Sequence, residues 1–241
     1  MPTIDIHAHW YPQEWLTLFA KDGAKEGAAL ERAADGRYHL RAKHITNAFD
    51  ERFVVVDERV KAMDQRRIDV HALSLTTPMV YWASPQLGLA LSQAFNDAAS
   101  AAHQKHPQRL VGLAMVPMHA PELAVKELER AAKLPGIKGM YLATNVNGEE
   151  LDDQKFWDVY AKCEELGWTI FLHPVDTIGH DDRINAALVK LVGADRVTLG
   201  SDYCFDMGLD DPLATLNRIA GLSEKDKQAI AGGNAQKLLN L

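Results

Sequence analysis

Thr3-Ile4-Asp5-Ile6-His7-Ala8-His9-Trp10 is the stretch from which the fold is read. Its polar and apolar residues alternate, as they do along a strand with side chains on two faces. Asp5, His7 and His9 then share one face, and Ile4, Ile6 and Ala8 the other. Two imidazoles on successive same-face positions, at the end of an otherwise apolar strand, suit a borderline-soft cation such as zinc. An isolated His-x-His also occurs as a pair of satisfied or exposed histidines, so the rest of the chain has to decide.

Outward from that strand, short apolar runs alternate with helical segments from Glu58 onward. The runs lie near residues 3–9, 70–76, 110–117, 137–143, 169–173 and 196–201. Such runs are the pattern of parallel strands buried on both faces. The helices between them carry their own punctuation: Ser84-Pro85 and Ala120-Pro121-Glu122 at starts, Asp152 as a cap, and Gly136, Gly167 and Gly193 as stops. Asp35-Gly36, inside the polar and irregular stretch 11–57, signals a hairpin and hence a small antiparallel flap. The expectation is α/β: one TIM-barrel-like domain over 1–241, shortened to about six βα units. A closed eight-stranded barrel usually needs about 250 residues, and this chain of 241 spends part of its length on the flap.

Composition narrows the function. A formal charge of −7, with 24% charged and 47% hydrophobic residues interspersed, argues against nucleic acid or an anionic membrane as partner. Cys163 and Cys204 suggest no disulfide framework. Neither a secretory leader nor a run of about 18 apolar residues is seen, so a cytoplasmic location is expected.

His173-Pro174 ends the run 169–172, and Asp202 follows the run 196–201. In α/β barrels catalytic groups sit at such strand ends. His7, His9, His173 and Asp202 therefore make a candidate site for one divalent ion, with zinc first. Trp10, Tyr81 and Trp82 follow strand ends and are candidates to line a substrate pocket, or to pack against the flap. Lys138 begins its strand, so a carbamylated lysine bridging two metals is not expected.

Ile4-Asp5-Ile6-His7-Ala8-His9, Gly136-Ile137-Lys138-Gly139, Thr144-Asn145-Val146-Asn147-Gly148, Phe171-Leu172-His173-Pro174 and Leu199-Gly200-Ser201-Asp202-Tyr203 together resemble the amidohydrolase-2 family. Within it the likeness is to non-oxidative carboxy-lyases of the aminocarboxymuconate-semialdehyde decarboxylase type. The resemblance implies a distorted (β/α)8 barrel, with one divalent ion on residues matching His7, His9, His173 and Asp202. Asp202 would also move the proton, on a small unsaturated or aromatic carboxylate substrate.

Two departures stand out. The family's segment with strands six and seven, including a His-Gly-Gly-Gly motif whose histidine takes part in catalysis, has no counterpart between His173 and Asp202. His180 is a poor substitute. The family's arginine after phenylalanine, which the resemblance implies holds a substrate carboxylate, is replaced at Phe49-Asp50; Arg52 and Arg59 lie nearby, neither matches it cleanly, and Arg52 is the candidate for that substrate contact. A metal-dependent hydrolase of an ester, lactone or amide is the second reading, and an inactive remnant that binds metal or a partner the third. Strand edges left open by the missing segment would favour a homodimer.

Overall fold

In a computed structural model of the chain, residues 2–173, 189, 193–205, 209–219 and 221–241 are described. The elements run β1 (Ile4–His9), α1 (Gln13–Lys21), β2 (Ala29–Arg32), β3 (Tyr38–Ala42), β4 (Ile45–Phe49), α2 (Val56–Arg66), β5 (Val70–Ser74), α3 (Pro85–Lys105), β6 (Leu110–Ala114), α4 (Pro121–Ala131), β7 (Ile137–Ala143), α5 (Trp157–Glu165) and β8 (Thr169–His173). Beyond these come α6 (Pro212–Arg218), α7 (Glu224–Gln228) and α8 (Asn234–Leu239).

Five of the six apolar runs pair into one parallel sheet, ordered β1-β5-β6-β7-β8. Every residue of β5 and β6 is buried, as expected for strands covered on both faces. The sheet is curled into part of a TIM-like barrel. Neighbouring strands lie about 4.8 Å apart, so a flat sheet of this size would hold its edges roughly 19 Å from each other. Instead the rings of His9 on β1 and His173 on β8 meet with centroids 5.1 Å apart.

The sixth run is not a strand of this ladder. After a short turn at Ala194–Arg196 the chain runs extended beside the free edge of β1. Three backbone bonds hold it: Ile6 N–H to Leu199 O (3.1 Å), Asp202 N–H to His7 O (2.9 Å) and His9 N–H to Tyr203 O (2.6 Å). Only Ala8 and Tyr203 form a bridge. The pairing of β1 with β5 shifts register between Asp5 and Ala8, and Asp202 has φ 59°. The second feature takes the backbone out of the β region and ends regular pairing. His180 and most of the helix expected over 182–192 lie outside the described residues.

The flap is present as a three-stranded antiparallel sheet, β2-β3-β4. Its first turn is the predicted Asp35-Gly36, with Gly36 at φ 85°. The segment before it is not irregular as expected, because α1 occupies 13–21. Trp15, Leu16 and Phe19 fall on one side of that helix and are buried. Phe19 meets Trp82 edge-on and Tyr11 packs on Phe49, so one aromatic seam joins α1, the flap and the loop after β5. Ser84 caps α3, whereas Asp153 rather than Asp152 caps the short turn before α5.

Behind the sheet, Asn96 of α3 acts as a clip. Its amide pairs with both backbone groups of Met115, at 2.9 Å each, and donates to the buried Glu127 of α4 at 2.7 Å. Among the described residues no helix is long and apolar enough to cross a membrane.

Candidate metal centre

Two strands, β1 and β8, and the segment beside β1 deliver groups to one point. His7 and His9 come from β1, His173 from the last position of β8, and Asp202 from the segment beside β1. The ring nitrogens of the three histidines offer ligand atoms all within 4.8 Å of one another. His7 Nε2 and His9 Nε2 are 3.2 Å apart, and Asp202 Oδ1 lies 3.4 Å and 3.0 Å from them. Donors each about 2.0–2.1 Å from a tetrahedral ion stand roughly 3.3 Å from one another, so these separations match the edges of a metal tetrahedron. His173 Nδ1 is buried without a hydrogen-bond partner. Three imidazoles gathered beside a carboxylate are a donor set that fits a divalent cation.

Electrostatics keep the donors in ligand form. Burial lowers the pKa of His9 to about 4 and that of His173 to about 3, and for His173 the neighbouring His9 and His7 add to the effect. Both are therefore neutral at physiological pH. Burial works against the charge on Asp202, but hydrogen bonds from His7 and His9 outweigh it and hold the carboxyl below the ordinary range. The site thus offers the neutral imidazoles of His9 and His173, the ring of His7 and one anion, and it is dry on one side: His9 is 0% exposed and Asp202 is 32% exposed at its side chain.

A second layer holds these groups. Ser74, opposite His9 in the β1–β5 register, lies 3.1 Å from His9 Nδ1. Asp5, fully buried under the site, accepts from Ser201 Oγ, from Ser201 N–H at 3.1 Å and from His7 N–H at 3.0 Å. Burial raises its pKa, with those bonds opposing. Asp5 thereby pins the Asp202-bearing segment to β1. Phe205 closes the centre from the side, 5.5 Å from the His9 ring, and the buried Tyr141 lies 5.6 Å from that of His173. Sequence reading placed Asp5 on the histidine face without a role and did not single out Ser74, Phe205 or Tyr141. For Ser74 the signal was available: a polar residue ending a strand that is apolar apart from His71.

The other candidates are placed differently. Trp10 donates its indole N–H to Val54 O at 3.0 Å and packs against Phe95, and Trp82 donates to Met79 O at 3.2 Å. Both are core residues at the flap side. Tyr81 is buried, its hydroxyl without a hydrogen-bond partner. Arg52 reaches Asp50 through two of its nitrogens, at 3.0 and 2.7 Å, so its guanidinium is engaged locally.

With the site assembled, likeness to known proteins can be weighed. A family model for amidohydrolases matches residues 4–184 and 174–241. The chain belongs to the amidohydrolase family. Among curated relatives, this amidohydrolase is 25% identical to 2-amino-3-carboxymuconate-6-semialdehyde decarboxylase of Dictyostelium discoideum, across 99% of this chain and 91% of that protein. That alignment runs over 336 positions, more than the 241 residues of the chain. It is also 31% identical to gamma-resorcylate decarboxylase of a Polaromonas species, over 58% of this chain and 45% of that one. The amidohydrolase thus spans about half the length of this second relative. Among solved structures it superposes on apo IDCase of Metarhizium anisopliae with TM-score 0.84 at 16% identity, covering 99% and 97% of the two chains. For 5-carboxyvanillate decarboxylase of Sphingomonas paucimobilis the values are 0.78 and 17%, with 100% and 99% covered. These likenesses establish the barrel-type fold.

Proposed function

We propose that this amidohydrolase is a metal-dependent, non-oxidative decarboxylase of a small aromatic or unsaturated carboxylate. The observation that carries the reading is the convergence of His7, His9 and Asp202 at the spacing of tetrahedral ligands, with His173 offering a third imidazole within 4.8 Å of the other two. The names of its relatives, decarboxylases of carboxymuconate semialdehyde and resorcylate, supply the reaction class.

His7, His9, His173 and Asp202 would hold the ion. A divalent cation bound there polarises the substrate and stabilises the negative charge left when carbon dioxide departs. Asp202 is ionised, so it can give a proton only after taking one, from water or from a hydroxyl of the substrate. It then delivers that proton to the carbon whose bond to the carboxyl group breaks, and the pair of electrons from that bond forms the new C–H bond. Phe205 and the buried His9 keep that face poor in water. Three nitrogens and one carboxylate favour zinc. Manganese is the alternative, since a dihydroxybenzoic acid decarboxylase of similar fold carries it. Tyr81, Trp10 and Trp82 act in this reading as walls behind the pocket rather than as contacts, and Arg52 reaches a substrate only by leaving Asp50.

The two-piece family match meets at residues 174–184. We read it, with the 336-position alignment, as a segment missing between His173 and Asp202. A lost general acid or base costs about two to four orders of magnitude in rate, so slow turnover is expected. The same reading favours a cytoplasmic single domain that pairs with a second copy. Elemental analysis of purified protein and of His173→Ala, followed by carbon dioxide release from 2,6-dihydroxybenzoate and 5-carboxyvanillate, tests it. About one ion per chain, lost in the variant, with release from either acid supports the decarboxylase. Ester or lactone hydrolysis instead would give the hydrolase, and metal without turnover the remnant.

A further inference from the structure

Arg59 of α2 is a charged side chain with no exposed surface, placed behind the metal centre. One guanidinium nitrogen, Nη2, donates to the main-chain carbonyl of His9 and lies 3.5 Å from Cys204 Sγ. The other, Nη1, lies 3.3 Å from Nδ1 of His71. Arginine only donates, so His71 Nδ1 is the acceptor and its proton sits on Nε2, facing Asp5 Oδ2 at 3.6 Å. The guanidinium also lies over the ring of Tyr203, at 5.0 Å.

These contacts fall on the two backbones that carry ligands. His9 is itself a donor of the site, and Tyr203 follows Asp202. The two backbones are joined by the bond from His9 N–H to Tyr203 O, and Arg59 grips both sides of that joint. The same helix continues the hold outside: Arg66 lies over the Tyr203 ring at 4.5 Å and pairs with Asp210, and Arg67, which follows the helix, pairs with Asp211. Burying a guanidinium is costly unless its hydrogens find partners; Nη2 finds one on the ligand-bearing strand and Nη1 faces His71 of β5, while Nε has none among the described residues.

We infer that Arg59 is a positioning residue for the metal centre, which sets His9 and Asp202 at ligand spacing through the His9 carbonyl and the Tyr203 ring. The inference rests on the metal reading given above. It concerns where the ligands stand, not the chemistry they perform.

Cobalt(II) alone is the probe, read by its visible absorption and by competition with a chelator. Residues that orient metal ligands typically contribute 10–100-fold in affinity. Arg59→Met is expected to weaken cobalt binding by that factor and to change the band pattern, with Arg59→Lys recovering part of the affinity. Lys61→Gln, on the exposed side of the same helix, is expected to bind as wild type does. A folded Arg59→Met with wild-type affinity and spectrum overturns the inference. If Arg59→Met does not fold, Tyr203→Leu, which leaves no buried charge unpaired, carries the test: about tenfold weaker binding supports the clamp, and unchanged binding overturns it. Wild-type protein that takes up no cobalt would overturn the metal reading itself, a distinct result.

Discussion

Ser74 Oγ and His9 Nδ1 stand 3.1 Å apart, on strands whose register places the two residues side by side. The hydroxyl also reaches Ala8 O at 3.4 Å, which uses its proton. Its lone pair is then free to accept from His9 Nδ1–H. With an ion bound, that bond favours the tautomer whose bare Nε2 faces the ion position beside Asp202. Ser74→Ala is expected to lower metal affinity about 10–100-fold, read by chelator competition, while the protein stays folded. Unchanged affinity would show that packing alone orients His9.

Asp202 sits at φ 59°, a conformation asparagine shares with aspartate at little cost. Asp202→Asn therefore tests charge rather than shape. Turnover is expected to fall by about two to four orders of magnitude, with the unfolding midpoint near that of wild type. Measured carbon dioxide release at full metal occupancy decides the matter.

The buried His71 gives a pH dependence of stability. Burial first, then the cationic Arg59, Arg66 and Arg109, hold its pKa well below 6.5. The Asp5 carboxyl and the Tyr203 ring face it as well. Below pH 6.5 the unfolded chain takes a proton at this residue and the folded chain does not. Stability contributed by neutral His71 is thus complete above that pH and lost as pH falls, by up to about 1.4 kcal/mol per pH unit. Guanidinium unfolding between pH 8 and 5 should show a shallower acid loss in His71→Gln than in wild type. Equal slopes would assign the loss to other groups.

Asn96→Ala removes three hydrogen bonds at once and leaves both backbone groups of Met115 and the carboxylate of Glu127 buried without that partner. Each buried group left unpaired costs about 1–3 kcal/mol, so a loss of roughly 3 kcal/mol is expected in urea unfolding. Metal affinity of the folded variant should not change, since α3 touches the sheet away from the histidines.

Much of this arrangement is legible in the sequence, for identifiable reasons. Ile4 to His9 and the four runs at 70, 110, 137 and 169 announce strands because they are short and rich in apolar residues, most plainly β5 and β6, which are buried on both faces. Strand ends then carry His7, His9 and His173 to one mouth by geometry alone. The run 196–201 has the same composition, yet it stands outside the ladder. Composition reports burial, whereas pairing depends on the shifted register at Asp5 to Ala8 and on the backbone of Asp202. Trp10 and Trp82 follow strand ends as pocket residues do, but their indole N–H groups found carbonyls at Val54 and Met79, and pairings of that kind leave no trace in sequence. Arg59 was equally silent, because a buried arginine on a helix reads like any exposed one until its partners arrive from residues 9, 71, 203 and 204.

The bond between Asp5 and Ser201 joins residues 196 positions apart. During synthesis the first strand and its histidines emerge early, while the carboxylate that completes the centre is among the later residues made. A chain made only as far as β8 carries His7, His9 and His173 without Asp202, so the proposed donor set is complete only once residue 202 has been made.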